Sequence, residues 1–144
     1  MHYTSDANFI NTGVSKSIAS KLKNDTQQQM WTVRSFPKGK RNCYKINITK
    51  GTNYLIRATF LYGNYDGQNM LPRFDLLLGA NRWDTLALYD ASVDRKKEIM
   101  HVPPLVYVQI CLFDTGHGTP FISAIELRTL TNLHHWNFTT GGIC

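Results

Sequence analysis

A hydrophobic stretch ending in Asp114-Thr115-Gly116 is the part of this sequence closest to catalytic chemistry. An aspartic protease uses such a triplet to present a carboxylate, and its chemistry needs two carboxylates sharing one proton. No second Asp-Thr-Gly exists here, and His117 follows where a small residue is expected. Only 30 residues follow Asp114, too few for the second half of a retroviral-type protomer. The simpler expectation is a Gly-rich turn joining two strands, with Asp114 bonding nearby backbone amides. A dimeric aspartic protease using Asp114 stays as the alternative from another functional class.

Other reactive residue types are present without the spacing that chemistry requires. His134 and His135 are adjacent and would point to opposite faces of a strand, while His101 and His117 lie in separate segments. Nothing specifies three or four convergent ligands, so no metal and no cofactor is expected. The three cysteines, Cys43, Cys111 and Cys144, include no C-x-x-C. Buried thiols are one reading; a Cys43–Cys111 disulfide is the other, because both residues fall in expected strands. Three sequons, at Asn24, Asn47 and Asn137, are each weak alone; three in so short a chain tilt modestly towards a secreted, glycosylated surface, with ordinary polar loops the nearly equal alternative. Tyr62-Gly63-Asn64-Tyr65-Asp66-Gly67 supplies rings beside polar groups, which suit stacking on sugars or peptides. Tyr62, Tyr65 and Asp66 are therefore the candidate ligand-binding residues, although Tyr62 plugging the end of a sandwich explains the ring equally well.

These residues have to be positioned by strands. Tyr54, Ile56, Ala58 and Phe60 alternate with Arg57 and Thr59, the period-two pattern of a half-buried strand. Phe74, Leu76 and Leu78 alternate in the same way. Residues 105–113 are almost continuously apolar, as expected for a central strand covered on both faces. Further strands are expected over 30–36, 42–46, 83–89, 96–102 and 121–128. Segment 15–23 reads as a turn or two of helix, or as extended chain. About eight short strands at roughly 8–12 residue spacing indicate an all-β sandwich or jelly roll.

A chain of 144 residues suits one domain, and its 42% hydrophobic content with seven Phe, seven Tyr and three Trp argues against disorder. No apolar run approaches the roughly 20 residues that cross a bilayer. The polar start at Met1-His2-Tyr3 shows no secretory leader, which taken literally is a cytosolic start. The net charge of +6 lies in short clusters, Lys38-Gly39-Lys40-Arg41 and Arg95-Lys96-Lys97, suited to turns and strand edges. Without a basic helix, zinc-finger spacing or RNA-binding aromatic motif, no nucleic-acid partner is expected.

The chain resembles the plant malectin-like domain found in the extracellular parts of leucine-rich-repeat receptor kinases. The stretches that carry the resemblance are Tyr3–Ile10, Arg34–Pro37, Arg41–Tyr44, Tyr54–Ala58, Tyr62–Gly67, Phe74–Gly79 and Asp114–Arg128. The most specific are Tyr62-Gly63-Asn64-Tyr65-Asp66-Gly67 and Gly118-Thr119-Pro120-Phe121-Ile122-Ser123. The resemblance covers residues 3–131 and implies a jelly-roll-like β-sandwich of malectin-like, galactose-binding-like type. It implies a partial first half, with the N-terminal strand missing and 132–144 a disordered or non-native tail. It further implies a non-catalytic recognition module at the extracellular face of the plasma membrane in the parent protein. The implied ligand is a cell-wall carbohydrate or a peptide or protein, with a receptor as a further partner. A fragment without function of its own is the remaining alternative.

Overall fold

The computed structural model describes residues 4–130 and 135–139. Twelve strands among them are β1 (Thr4–Ser5), β2 (Val14–Ser17), β3 (Thr32–Ser35), β4 (Arg41–Asn47), β5 (Tyr54–Phe60) and β6 (Arg73–Leu78). The rest are β7 (Asn81–Ala87), β8 (Arg95–His101), β9 (Tyr107–His117), β10 (Phe121–Ile122), β11 (Ala124–Thr129) and β12 (His135–Thr139). One sheet has the order β1-β12-β11-β5-β8, a second β4-β9-β6-β7, and a small third β10-β3-β2. The two larger sheets enclose the core. Inward residues of β5 (Tyr54, Ile56, Ala58, Phe60), β6 (Phe74, Leu76, Leu78) and β9 (Val108, Ile110, Leu112) are all buried. Phe60, Phe74 and Phe121 meet with ring centroids 5.8–6.2 Å apart, joining all three sheets. Lys97 on edge strand β8 reaches Asp84 on edge strand β7 at 3.0 Å, tying the two sheets along one side.

Each of the eight expected strands is present, and the all-β sandwich reading holds. Segment 15–23 divides: Val14–Ser17 is strand, and Ser20–Asp25 is a 3-10 helix. The expected strand over 121–128 breaks at Ser123, whose hydroxyl accepts the Leu61 amide at 2.9 Å. That break lets β10 pair with β3 while β11 pairs with β5.

Residues 105–113 are not covered equally on both faces. Inward Val108, Ile110 and Leu112 are buried, outward Tyr107, Gln109 and Phe113 are half-buried, and Leu105 and Val106 at the start are exposed. Cover on that outer face comes from cationic stems, with Lys45 over Tyr107 at 4.5 Å and Lys40 over Phe113 at 5.9 Å. The expected loop at 114–117 is instead strand. β9 continues to His117, with Phe74 facing Asp114 and Arg73 facing His117, so Thr115 and Gly116 form a bulge. Gly116 has φ 87° there, and its amide donates to Asp114 Oδ1 at 2.8 Å. The Asp-Thr-Gly triplet is thus bulge chemistry, its carboxylate engaged within its own loop.

His135–Thr139 differ from the tail expected over 132–144. They pair antiparallel with β11, Ala124 facing Thr139 and Arg128 facing His135. The reason is general: without a neighbour, β11 would leave a row of backbone donors and acceptors unpaired at the sheet edge. Alternation of Trp136 and Phe138 is the period-two signal for it. The remainder of 132–144, including Cys144, lies outside the described residues.

Two cross-links join segments far apart in the chain. Cys43 and Cys111 face each other across β4 and β9, with Cα atoms 4.0 Å apart, and form a disulfide. Asp6 is 2% exposed and accepts from Arg34 Nε at 2.7 Å, Arg34 Nη2 at 3.0 Å and the Tyr44 hydroxyl at 2.5 Å. The Asp6 hydrogen bond holds the Arg34 pKa above its ordinary value. Burial, reinforced by Asp6, pushes the Tyr44 hydroxyl well up.

Candidate functional site

The aromatic loop between β5 and β6 is built inward. Gly63 (φ 55°) and Asn64 (φ 48°) both adopt left-handed backbone, which turns the chain sharply back over the sandwich end. Tyr62 is 1% exposed. Its hydroxyl donates to the Asp66 carboxylate and accepts the Met70 amide at 3.3 Å. Tyr65 packs on Tyr62 and Phe121 with centroids 5.5 and 5.4 Å apart, and its hydroxyl lies 3.1 Å from Ser35 Oγ. Burial raises both tyrosines, Tyr62 to about 12 with help from Asp66. The structure therefore brings Tyr62, Tyr65 and Asp66 together, with Tyr62 as a plug, Tyr65 half-buried against it and Asp66 exposed at the rim. Tyr62 presents almost no surface, and Asp66 Oδ1 is already occupied by the Tyr62 hydroxyl and the Gln68 amide.

Beside that plug lies an open cleft of about 290 Å³. Half-buried Met30 supplies its apolar surface, with buried Leu61 beneath, and Asp25, Gln27, Ser92 and Asp94 its acceptors and hydroxyl. Lys96, paired with Asp94 at 2.5 Å, adds the cation. One wall is the 3-10 segment Ser20–Asp25 and its continuation. The Trp31 indole N–H braces it by donating to Lys23 O at 3.1 Å and Thr26 O at 2.9 Å. The other wall is the loop after β7, where Asp90 accepts the Ser92 amide and hydroxyl, each at 2.8 Å; those bonds lower the Asp90 pKa.

Gly63 joins the two walls. Its carbonyl accepts the Ala19 amide and its own amide donates to Ala91 O, both at 2.8 Å. A Cβ at Gly63 would press into Ile18 at 2.5 Å from its Cβ. The Tyr-Gly-Asn-Tyr motif thus works as the keystone of a cleft whose lining lies elsewhere in the chain. Sequence reading missed those lining residues because they are single polar side chains in loops, with no periodicity to mark them. It also missed Asp6, although Asp6, Arg34 and Tyr44 each fall in a stretch that carries the family resemblance.

The other candidates stand apart. Asn24 and Asn47 are exposed; Asn137 lies in β12, whose side chains are outside the described residues. Thr115 Oγ donates to Arg73 O at 3.0 Å and lies 3.3 Å from His117 Nδ1, so His117 belongs to the bulge. Among the described residues no three His, Cys, Asp or Glu side chains converge as metal ligands. The basic clusters fall at the β3–β4 turn and the start of edge strand β8. No helix of the described residues is long and apolar enough to cross a membrane.

Residues 1–142 match the malectin-like domain family. The chain belongs to that family. This malectin-like domain is 49% identical over 130 residues to a probable LRR receptor-like serine/threonine-protein kinase of Arabidopsis thaliana, covering 90% of the chain and 15% of the relative. It is 50% identical over 130 residues to the LRR receptor-like serine/threonine-protein kinase IOS1 of the same plant, covering 90% and 14%. The chain therefore spans about one seventh of the length of these relatives. Among solved structures, the ANX1 ectodomain of Arabidopsis thaliana superposes with a TM-score of 0.68 at 18% identity, covering 86% of this chain and 35% of the other. A chain of the complex of plant peptide RALF23 with FER and LLG2 gives 0.69 at 14% identity, covering 85% and 41%. At those identities the structural likeness establishes the malectin-like fold and leaves ligand choice to the site.

Proposed function

We propose that this malectin-like domain is a non-catalytic extracellular recognition module of a receptor-like-kinase-type protein, engaging a peptide or protein partner in signalling. In the parent protein it stands at the outer face of the plasma membrane. The observation that carries the reading is the cleft between Ser20–Asp25 and the loop after β7. It is open, mixed in character, and braced through Gly63 by the most specific motif of the chain. Met30 beside exposed Asp25 suits a peptide bearing apolar and cationic side chains. The structural relative solved with RALF23 and LLG2 supports a peptide or protein partner.

A second reading, a cell-wall carbohydrate, is favoured by the same lining, since Asp25, Gln27, Ser92 and Asp94 are groups that bind sugar hydroxyls. Biolayer interferometry on the secreted chain, against panels of wall oligosaccharides and of peptides, separates the two. Peptide binding that Asp25→Ala weakens at least tenfold supports the leading reading. Oligosaccharide binding with the same sensitivity supports the second. Binding that is indifferent to Asp25→Ala and Ser92→Ala, or no binding at all, refutes the cleft as the site.

A further inference from the structure

At the opposite end of the sandwich the chain exposes an aliphatic strip that its own fold leaves uncovered. Val102 is 53% exposed, Leu105 51% and Val106 64%, next to the half-buried ring of Tyr107. Exposed aliphatic side chains grouped along one short segment form a surface that a cover would stabilise. Asn47 stands beside it. It closes β4, faces Tyr107 directly across the β4–β9 ladder, and is followed by Ile48, whose amide donates to Val106 O at 2.9 Å. Asn47 and Tyr107 share the parity of Cys43 and Cys111, four residues along each strand, so both project from the outer face that carries the disulfide. Directly opposed side chains in such a pair have Cβ atoms about 4.5–5.5 Å apart.

Asn47-Ile48-Thr49 is a glycosylation acceptor, and Asn47 is exposed. We propose that Asn47 carries an N-linked glycan whose first sugars lie against the edge of Tyr107, beside the Lys45 ammonium 4.5 Å from the ring centroid, and shield Leu105 on the same face. An N-glycosidic bond forms between the Asn47 side-chain nitrogen and the anomeric carbon of an N-acetylglucosamine, as the bond from that carbon to the phosphate oxygen of a lipid-linked oligosaccharide donor breaks; the lipid diphosphate leaves and the amide nitrogen gives up one proton. A pyranose has one face of C–H groups, which packs on an aromatic ring as other apolar surface does. The site also suits edge protection. β4 is the edge of its sheet, and the Lys45 N–H on that edge donates to Phe9 O at 3.0 Å. A bulky glycan at the far end of that strand blocks pairing with the edge of a second molecule. The proposal rests on the extracellular reading above for exposure to the glycosylation machinery, and it places the glycan at the end away from the ligand cleft.

The test is expression of the full chain behind a secretory leader in plant cells. Glycopeptide mapping and intact mass, before and after peptide N-glycosidase treatment, report occupancy. Occupied Asn47, lost in both Asn47→Gln and Thr49→Ala, is expected; Thr49→Ala keeps the backbone bond from the Thr49 amide to the Tyr54 hydroxyl at 2.9 Å. Enzymatic removal of the glycan from the folded protein should raise fluorescence of a hydrophobic dye at least twofold and increase light scattering. Tyr107→Ala should keep occupancy and shrink that difference. Unmodified Asn47 in secreted protein overturns the proposal, as does an occupied site whose deglycosylation changes neither dye binding nor scattering. None of these readouts involves ligand binding, so failure here and failure of the recognition reading are told apart.

Discussion

Opening the Cys43–Cys111 bridge is the perturbation whose size follows most directly from the structure. The bridge closes a loop with a sequence separation of 68, which contains β5, β6, β7 and β8. A cross-link stabilises chiefly by removing conformations from the unfolded chain, and a loop of that length gives about 15 cal/mol/K, or about 4.4 kcal/mol at 25 °C. With about 2.1 cal/mol/K of unfolding entropy per residue, a chain this size should lose roughly 15 °C in Tm. Thermal melts by circular dichroism on the oxidised protein, on protein reduced with dithiothreitol, and on Cys43→Ala/Cys111→Ala measure it. The double variant adds a packing loss, because Cys111 is fully buried; reduction alone leaves both sulfur atoms in place. Urea titration gives an independent sign. Reduction should steepen the denaturant slope, since a freed chain exposes more surface on unfolding. A Tm shift below about 3 °C on complete reduction, with an unchanged slope, would refute the chain-entropy argument.

Asp6→Ala should cost about 3–5 kcal/mol in urea unfolding, because it leaves the Arg34 guanidinium and the Tyr44 hydroxyl without their shared buried acceptor. A loss under about 1 kcal/mol would show that solvent replaces that carboxylate freely. Gly63→Ala should destabilise by about 2–4 kcal/mol through left-handed strain and collision with Ile18. It should also weaken cleft binding; unchanged affinity would detach the keystone from the site. Stability should fall as pH rises from about 10 towards 12. Tyr62 and Tyr44 hold their protons more tightly folded than unfolded, so their contribution is full below 10 and disappears as pH passes the raised values. Melts of wild type, Tyr62→Phe and Tyr44→Phe between pH 8 and 12 test the sign: each variant should show a shallower alkaline decline.

Much of the fold was legible because a half-buried strand writes its face in period two. Tyr54, Ile56, Ala58 and Phe60 name one wall of the core, and Phe74, Leu76 and Leu78 another. Short or broken strands were less legible. Val14–Ser17 is exposed along its whole length, so no alternation marks it. The break at Ser123 depends on a hydroxyl that meets the Leu61 amide from 62 residues away. The tail reading failed at His135–Thr139 for the opposite reason: alternation was present, but the neighbour needing a partner was visible only once β11 had its place in the sheet.

The site divides along the same physical line. Residue order alone established the class of fold, the family, the sequons, and the absence of spacing for a metal or a second catalytic carboxylate. Those properties are local: periodicity, composition and short motifs survive in an unfolded chain. The direction in which Tyr62, Tyr65 and Asp66 face was decided only by tertiary packing, because the same polar–aromatic hexapeptide serves as a contact surface or as a plug. Phe121 and Ser35, brought in from two other strands, turned its rings inward. Tertiary packing also assembled the cleft, whose two walls come from residues some 65 positions apart, joined through the backbone of Gly63. A motif can state which residues must meet its backbone; where their side chains converge is a property of the closed sandwich.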